Sequence, residues 1–278
     1  MSEYTIEKLS ASRIKKYQSC PKEYFYKYLS DVEPPEEGEV EHFEIGNTVH
    51  DSIEIYLKEH GLPDISDEDT DEKRQDIIHE ELKSIESGLD YNYEDRKKVE
   101  TCLEFAAKFI AKYVESINTV EEEMIMEHNG ITFKGFADLI GNVKANDGVL
   151  SDVVIDWKTG KENPEWKEKI QGGMYVKMFH DEYGRWPESI YFVYLNEGTL
   201  SVHNRIDDGD IMWNDHQNEY WDDISGYISD MTNDAFKGEF EAKPSDNCYW
   251  CGFKYACEDG GRGAETATPQ HYQIDGVI

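Results

Sequence analysis

Asp156-Trp157-Lys158 ends the apolar run Val153-Val154-Ile155, and Asp138 lies inside a second run, Gly135-Phe136-Ala137-Asp138-Leu139-Ile140. On an extended strand alternate side chains share a face, so Asp156 and Lys158 point one way and Trp157 the other. Two carboxylates and an ammonium at one sheet edge suit a divalent cation and a phosphate. Phosphodiester hydrolysis needs such a set, because a carboxylate-held Mg²⁺ or Mn²⁺ activates water and takes up charge on the phosphoryl oxygens. A lone Asp-x-Lys also arises wherever a strand runs into a charged turn, so the surrounding residues decide its meaning.

Three further features can join this edge. Gly46-Asn47-Thr48-Val49-His50 puts a histidine one helical turn after a glycine that permits close approach. Gln171 and Tyr175 are four apart and share one face of a helix that follows the Asp-Trp-Lys strand. Cys248, Cys251 and Cys257 form a compact triple, with Cys20 the natural fourth ligand at the other end of the chain. Thiols grouped this way point to a soft metal, either structural zinc or iron–sulfur, and spacing alone leaves both open. Cys102, beside Leu103, Phe105 and Ala106, reads as a buried thiol.

The elements that must position these residues follow from periodicity. Residues 8–30 read as helical with a break at Cys20-Pro21, and Ser10 or Ser12 can cap. Helices are expected at 43–60, 71–88, 93–118, 164–183 and 208–237. Strands are expected at 119–128, 131–142, 148–158, 188–196 and 199–206, with turns at Asn129-Gly130 and at residues 146–148. Residues 31–41 and 61–70 read as connectors. This organises the chain as one domain over 1–260: a helical lobe at 43–118, a sheet carrying the site at 119–206, and a clip made of 243–260 plus Cys20. Residues 261–278 read as a flexible tail.

The chain has 278 residues and a formal charge of −32. The segment 1–30 alone is basic, with Lys15, Lys16, Lys22 and Lys27 around Cys20. Bulk acidity is unusual for a phosphate-binding protein. It fits a salt-adapted host or its virus, although 22 lysines against 6 arginines is not that signature, or else a substrate other than DNA, and bulk charge leaves both readings open. The start of the chain resembles no export signal and no run suits a membrane span, so an intracellular, cytoplasmic protein without membrane contact is expected. Gly160-Lys161 lacks the flanking residues of a phosphate-binding loop, which excludes a nucleotide-driven motor.

Taken in order, Gly-x3-His, Gly-Phe-x-Asp, Asp-x-Lys-Thr-Gly and Gln-x3-Tyr resemble the RecB-like branch of the PD-(D/E)xK nuclease superfamily. With Cys20 and the C-terminal triple, the chain resembles its iron–sulfur subset, which includes CRISPR-associated RecB-like nucleases, the AddB nuclease domain and the exonuclease V group. The resemblance implies an α/β fold: a restriction-endonuclease-like core with a central mixed sheet, a helical N-terminal lobe and a cysteine-clipped C-terminal segment. It implies Mg²⁺ or Mn²⁺ on His50, Asp138, Asp156 and the Trp157 carbonyl. Lys158 would then orient water or offset phosphate charge, with Gln171 and Tyr175 positioning substrate. Cys20, Cys248, Cys251 and Cys257 would hold a [4Fe–4S] cluster, with structural Zn²⁺ as the alternative, and Tyr249, Trp250, Phe253 and Tyr255 would shield it. The implied substrate is DNA, as single strands or ends, degraded exonucleolytically. The implied context is recombination and repair, CRISPR adaptation or viral genome processing, with a helicase, recombination or CRISPR partner or a homo-oligomer. A non-catalytic DNA-binding or assembly subunit on the same fold is the competing class; such proteins tend to lose the Asp, Lys or His, and this chain keeps all of them.

Overall fold

Pro21 has no amide hydrogen to continue a helix, and the chain divides there. The computed structural model describes residues 4–33, 41–64, 70–86, 93–145, 148–161, 167–204 and 219–259. The tail 261–278, residues 208–218 of the expected last helix and most of the 31–41 connector lie outside them. The chain forms two units, Met1–Glu39 with Ser225–Ile278, and Val40–Ile224.

The smaller unit starts with a two-residue strand β1 (Lys8–Leu9), then α1 (Ala11–Ser19) and α2 (Pro21–Tyr28). Ser10 caps α1 by accepting the Arg13 N–H at 3.4 Å, and Cys20 sits extended between the helices. Tyr17 donates to Asp234 at 2.6 Å, and Tyr4, Tyr24 and Phe25 gather around Phe240, which brings the two chain ends together.

The larger unit begins with α3 (Glu41–Glu59), α4 (Asp71–Glu86) and α5 (Tyr93–Tyr113). Ile45, Val49, Ile53, Tyr56 and Leu57 recur at helical spacing on α3 and are buried. Strands β2 (Val114–His128), β3 (Ile131–Ala145) and β4 (Gly148–Lys158) follow, then α6 (Lys167–Tyr183), β5 (Ser189–Tyr194) and β6 (Thr199–Asn204). Helix α7 (Glu219–Lys237) continues into the smaller unit, which ends in a short 3₁₀ turn at Asp246–Tyr249. β2, β3 and β4 are antiparallel neighbours, β4 and β5 run parallel with α6 as the crossover, and β6 returns antiparallel. The expected central mixed sheet is present.

One face of that sheet, with Leu139, Val153, Ile155, Trp157, Tyr191 and Val193, packs on α3, α4 and α5. The other receives α6, where Gly135 leaves room for Met178: a Cβ there would lie 2.7 Å from the methionine methyl. One boundary differs from expectation. The helix read as 93–118 ends at Tyr113, and residues 114–118 open β2. Val114, Ile117, Thr119 and Val120 are β-branched and pair with Val143, Gly141, Ile140 and Leu139. At Gly141 the strands are so close that a Cβ would lie 2.3 Å from Ser116 O.

Candidate metal centre and cysteine cluster

The β2–β3 hairpin turns at Asn129 and Gly130, with φ 52 and 78, the left-handed pair of a two-residue turn. This sets His128 opposite Ile131, and the pairs Val120↔Leu139 and Glu122↔Ala137 then put Glu121 across from Asp138. Leu139↔Ile155 likewise puts Asp138 beside Asp156 on β4. His50 comes from α3, one turn after Gly46, which faces Thr159 Oγ1: a Cβ there would meet it in ordinary contact at 3.4 Å. His50 Nδ1 is 3.5 Å from Asp138 Oδ1. His50, Glu121 and Asp138 each bring a ligand atom within 4.8 Å of the others.

Electrostatics mark this cluster as cation-seeking. Burial raises Glu121, and Asp138 and Glu54 raise it further, from the ordinary 4.5 to about 7. Two carboxylates this close do not both ionise cheaply without a cation between them. Burial disfavours a charged His50, but Asp138 and Asp156 outweigh it and the imidazole titrates above its usual value. One imidazole nitrogen with carboxylate oxygens suits Mg²⁺ or, with the nitrogen, Mn²⁺. Glu121 also adopts φ 53, which a non-glycine residue avoids unless its surroundings hold it there.

Asp156, 3% exposed, anchors the adjoining network. Its Oδ1 accepts from Gln171 Nε2 at 2.6 Å and lies 2.6 Å from the Tyr175 hydroxyl; its Oδ2 is ion-paired with Lys158. The Tyr175 hydroxyl is also 2.7 Å from Phe136 O, so one proton serves two acceptors. Lys158 donates to Gln171 Oε1 at 3.1 Å. Burial raises the Asp156 carboxyl against the opposing pull of Lys158. Burial likewise holds the Tyr175 phenol well above its usual range. The Trp157 ring turns into the opposite layer, edge-on to Phe109, while the Trp157 backbone N–H donates to Asp138 Oδ2 at 2.6 Å.

All the residues singled out at the sheet edge therefore meet. Sequence reasoning missed Glu121, although its signal was present: counting back from the Asn129-Gly130 turn places it opposite Asp138.

In the smaller unit Cys20, Cys248, Cys251 and Cys257 line one cavity with Lys243, Pro244 and Phe253. Cys20 Sγ accepts the Lys243 N–H and Cys248 Sγ the Ser245 N–H, each at 3.4 Å. Burial raises the Cys251 thiol, with Glu23, Cys20 and Cys248 adding to the rise, so a thiolate there calls for a cationic partner. Four sulfurs on one cavity, two of them receiving backbone N–H groups, fit a thiolate-bound metal group. The expected aromatic shield is smaller than foreseen. Phe253 is buried against Tyr26, but Tyr249, Trp250 and Tyr255 are 46%, 66% and 84% exposed, because the short turns around the cysteines direct them outward. Of the basic residues here, Lys16 pairs with Glu23, and Lys22 and Lys27 lie over the rings of Phe25 and Tyr28. Cys102 is buried as expected, its thiol pushed up to about 11.

The central strands of the mixed sheet hold an Asp/Asp/Lys set beside a His/Glu cluster, the donor set that a metal-dependent phosphodiesterase would need. The family model of the PD-(D/E)XK nuclease superfamily matches residues 8–258, and the chain belongs to that superfamily. A search of curated proteins found no match. Among solved structures the chain is similar to SSO0001 (16% identity, 91% of this chain and 87% of that one covered, TM-score 0.38). It is also similar to a proposed exonuclease from Eubacterium rectale (14% identity, 88% and 87% covered, TM-score 0.46). Among the described residues no helix is long and apolar enough to cross a membrane.

Proposed function

We propose that this nuclease is a Mg²⁺- or Mn²⁺-dependent deoxyribonuclease that acts exonucleolytically on single strands or DNA ends. The observation that carries the reading is the contact of two sets: the His50–Glu121–Asp138 cluster, and Asp156 held by Lys158, Gln171 and Tyr175. His50, Glu121, Asp138 and Asp156 would hold the cation, with the Trp157 carbonyl beside them. A bound cation supplies Lewis-acid polarisation of the phosphoryl oxygen and acidifies water. The chain's own groups do the rest. Lys158 presents its ammonium to the scissile phosphate. Gln171 bridges Lys158 and Asp156, and so fixes the distance between ammonium and carboxylate. Tyr175 ties Asp156 to the β3 backbone at Phe136, which limits movement of the site as charge develops.

In the smaller unit Cys20, Cys248, Cys251 and Cys257 would hold a [4Fe–4S] cluster that fastens both chain ends. Four thiols on one cavity, two of them accepting backbone N–H groups, support a thiolate-bound metal group there, with structural Zn²⁺ as the alternative.

The deciding experiment incubates end-labelled single-stranded DNA with Mn²⁺ or Mg²⁺, comparing wild type with Asp156→Ala and Lys158→Ala. Shortening of the strand from one end by wild type alone is expected. No cleavage by wild type, or equal cleavage by the variants, refutes the reading.

A further inference from the structure

The first turn of α6 belongs to a second buried polar cluster, outside the cation site. Glu168 and His203 are 8% and 5% exposed. Glu168 Oε2 accepts from the Ser201 hydroxyl at 2.8 Å and lies 3.1 Å from His203 Nε2; Ser201 Oγ is 3.1 Å from the same nitrogen. With Glu168 ionised, His203 carries a proton on Nε2, since a bare nitrogen there would face a bare oxygen. The cluster ties α6 to β6, the strand that ends the sheet beyond β5.

Packing alone does not call for these groups. Among the described residues neither Glu168 Oε1 nor His203 Nδ1 has a hydrogen-bond partner, although both are buried. Apolar side chains of similar size would join helix to strand without stranding two polar atoms. They would also let the helix slide, whereas hydrogen bonds fix distance and direction. The place of the cluster shows what is fixed. Gln171, which joins Lys158 to Asp156, stands one turn after Glu168. Tyr175, the other tether of this helix, lies beyond Gly172-Gly173, the least helix-favouring pair in α6. Glu168 is thus the tether on Gln171's own side of the glycines. On the sheet, Phe192 pairs with Asp156 in one direction and with Ser201 in the other. Its buried ring stands edge-on to His203, centroids 5.4 Å apart, and its centre is 5.5 Å from the Lys158 ammonium. The cluster therefore reaches Lys158 by two routes, through Gln171 on the helix and through Phe192 across the sheet.

We propose that Glu168, Ser201 and His203 are positioning residues for the cleavage step, a latch that holds Gln171 and Phe192 so that the Lys158 ammonium keeps its place beside Asp156. The proposal rests on the nuclease reading and extends its machinery to β6. The three residues act through Gln171 and Phe192, not on the phosphate.

Misplacing a catalytic group by about 1 Å can cost on the order of 10²-fold in rate, and freeing the turn behind Gln171 without removing Gln171 should cost about tenfold. The test measures kcat and KM for cleavage of end-labelled single-stranded DNA with Mn²⁺, below the melting temperature of every variant. Glu168→Ala is expected to lower kcat about tenfold with KM within about twofold of wild type. Glu168→Gln keeps an acceptor oxygen for Ser201 and His203 and should recover most of that loss. Ser201→Ala, which removes one of two donors, should cost about threefold. In a chain that already carries Gln171→Ala, adding Glu168→Ala should cost about twofold at most, because the main residue it acts through is gone. Ile78→Val, in the helical lobe, serves as a control that lowers stability and keeps kcat. Unchanged kcat in Glu168→Ala, or a full tenfold further loss in the Gln171→Ala chain, overturns the latch and leaves a structural contact. If Glu168→Ala does not fold, Ser201→Ala decides alone, and unchanged kcat there overturns the proposal. If wild type cuts DNA and the latch variants cut equally well, the latch falls and the nuclease reading stands. If wild type does not cut, both fall.

Discussion

Replacing Glu121 by glutamine tests whether the cluster on β2, β3 and α3 is built for a cation. The substitution keeps shape and removes one negative charge beside Asp138 and Glu54. Without metal, a carboxyl raised from 4.5 to about 7 binds its proton more tightly in the folded chain than in the unfolded one. The sign follows. Below pH 4.5 both states are protonated and nothing is lost; as pH rises from 4.5 through about 7 the folded state loses stability, and the deficit persists above. At 1.36 kcal/mol per decade its ceiling is about 3.4 kcal/mol. Glu121 is only half-buried, so solvent screening reduces this to roughly 1–2 kcal/mol. In EDTA at pH 8, Glu121→Gln should therefore melt higher than wild type, by about 2–8 °C at ~2–4 °C per kcal/mol. With saturating Mn²⁺ the order should invert, because cation binding stabilises the folded state in proportion to affinity and wild type retains the extra carboxylate. Differential scanning calorimetry at both pH extremes, with EDTA or Mn²⁺, measures each term. Lower stability of Glu121→Gln in EDTA at pH 8, or equal stabilisation of both proteins by Mn²⁺, would refute the assignment.

Tyr175→Phe removes the hydroxyl shared by Asp156 and Phe136 O and takes a hydrogen bond from the buried Asp156 carboxyl, at about 1–3 kcal/mol; denaturant unfolding should show that loss, and kcat should fall at least tenfold with KM little changed. Gly141→Ala drives a methyl against Ser116 O, a backbone atom that cannot move aside, and should cost about 1–3 kcal/mol or more in the same assay. Cys20→Ser should remove iron, acid-labile sulfide and visible absorbance from anaerobically purified protein; wild type with one zinc per chain and no iron would refute the cluster.

Much of the site was legible because its residues lie on elements with strong local signals. The run ending at Asp156 and Lys158 is apolar and β-branched, so its register within a strand, and the shared face of the two charges, needed no tertiary knowledge. The spacing of Gln171 and Tyr175 is one helical turn for the same reason. Helix 93–118 was read too long because Val114, Ile117 and Val120 fit a helical face as well as a strand. Only pairing with β3, at the gap left by Gly141, separates the two.

The sequence by itself determined which chemistry was available: an Asp-x-Lys strand, a second aspartate, a histidine, a Gln/Tyr helix and four grouped thiols. It also held the register that aligns Glu121 with Asp138, since a two-residue turn at Asn129-Gly130 admits one pairing. Only the tertiary structure decided which of 60 acidic residues gather around His50, because that depends on α3 approaching two strands far from it in the chain. It alone decided that Phe136 faces water and that the aromatics near the cysteines turn outward. Exposure is a property of what packs against a residue, and local pattern does not contain its neighbours.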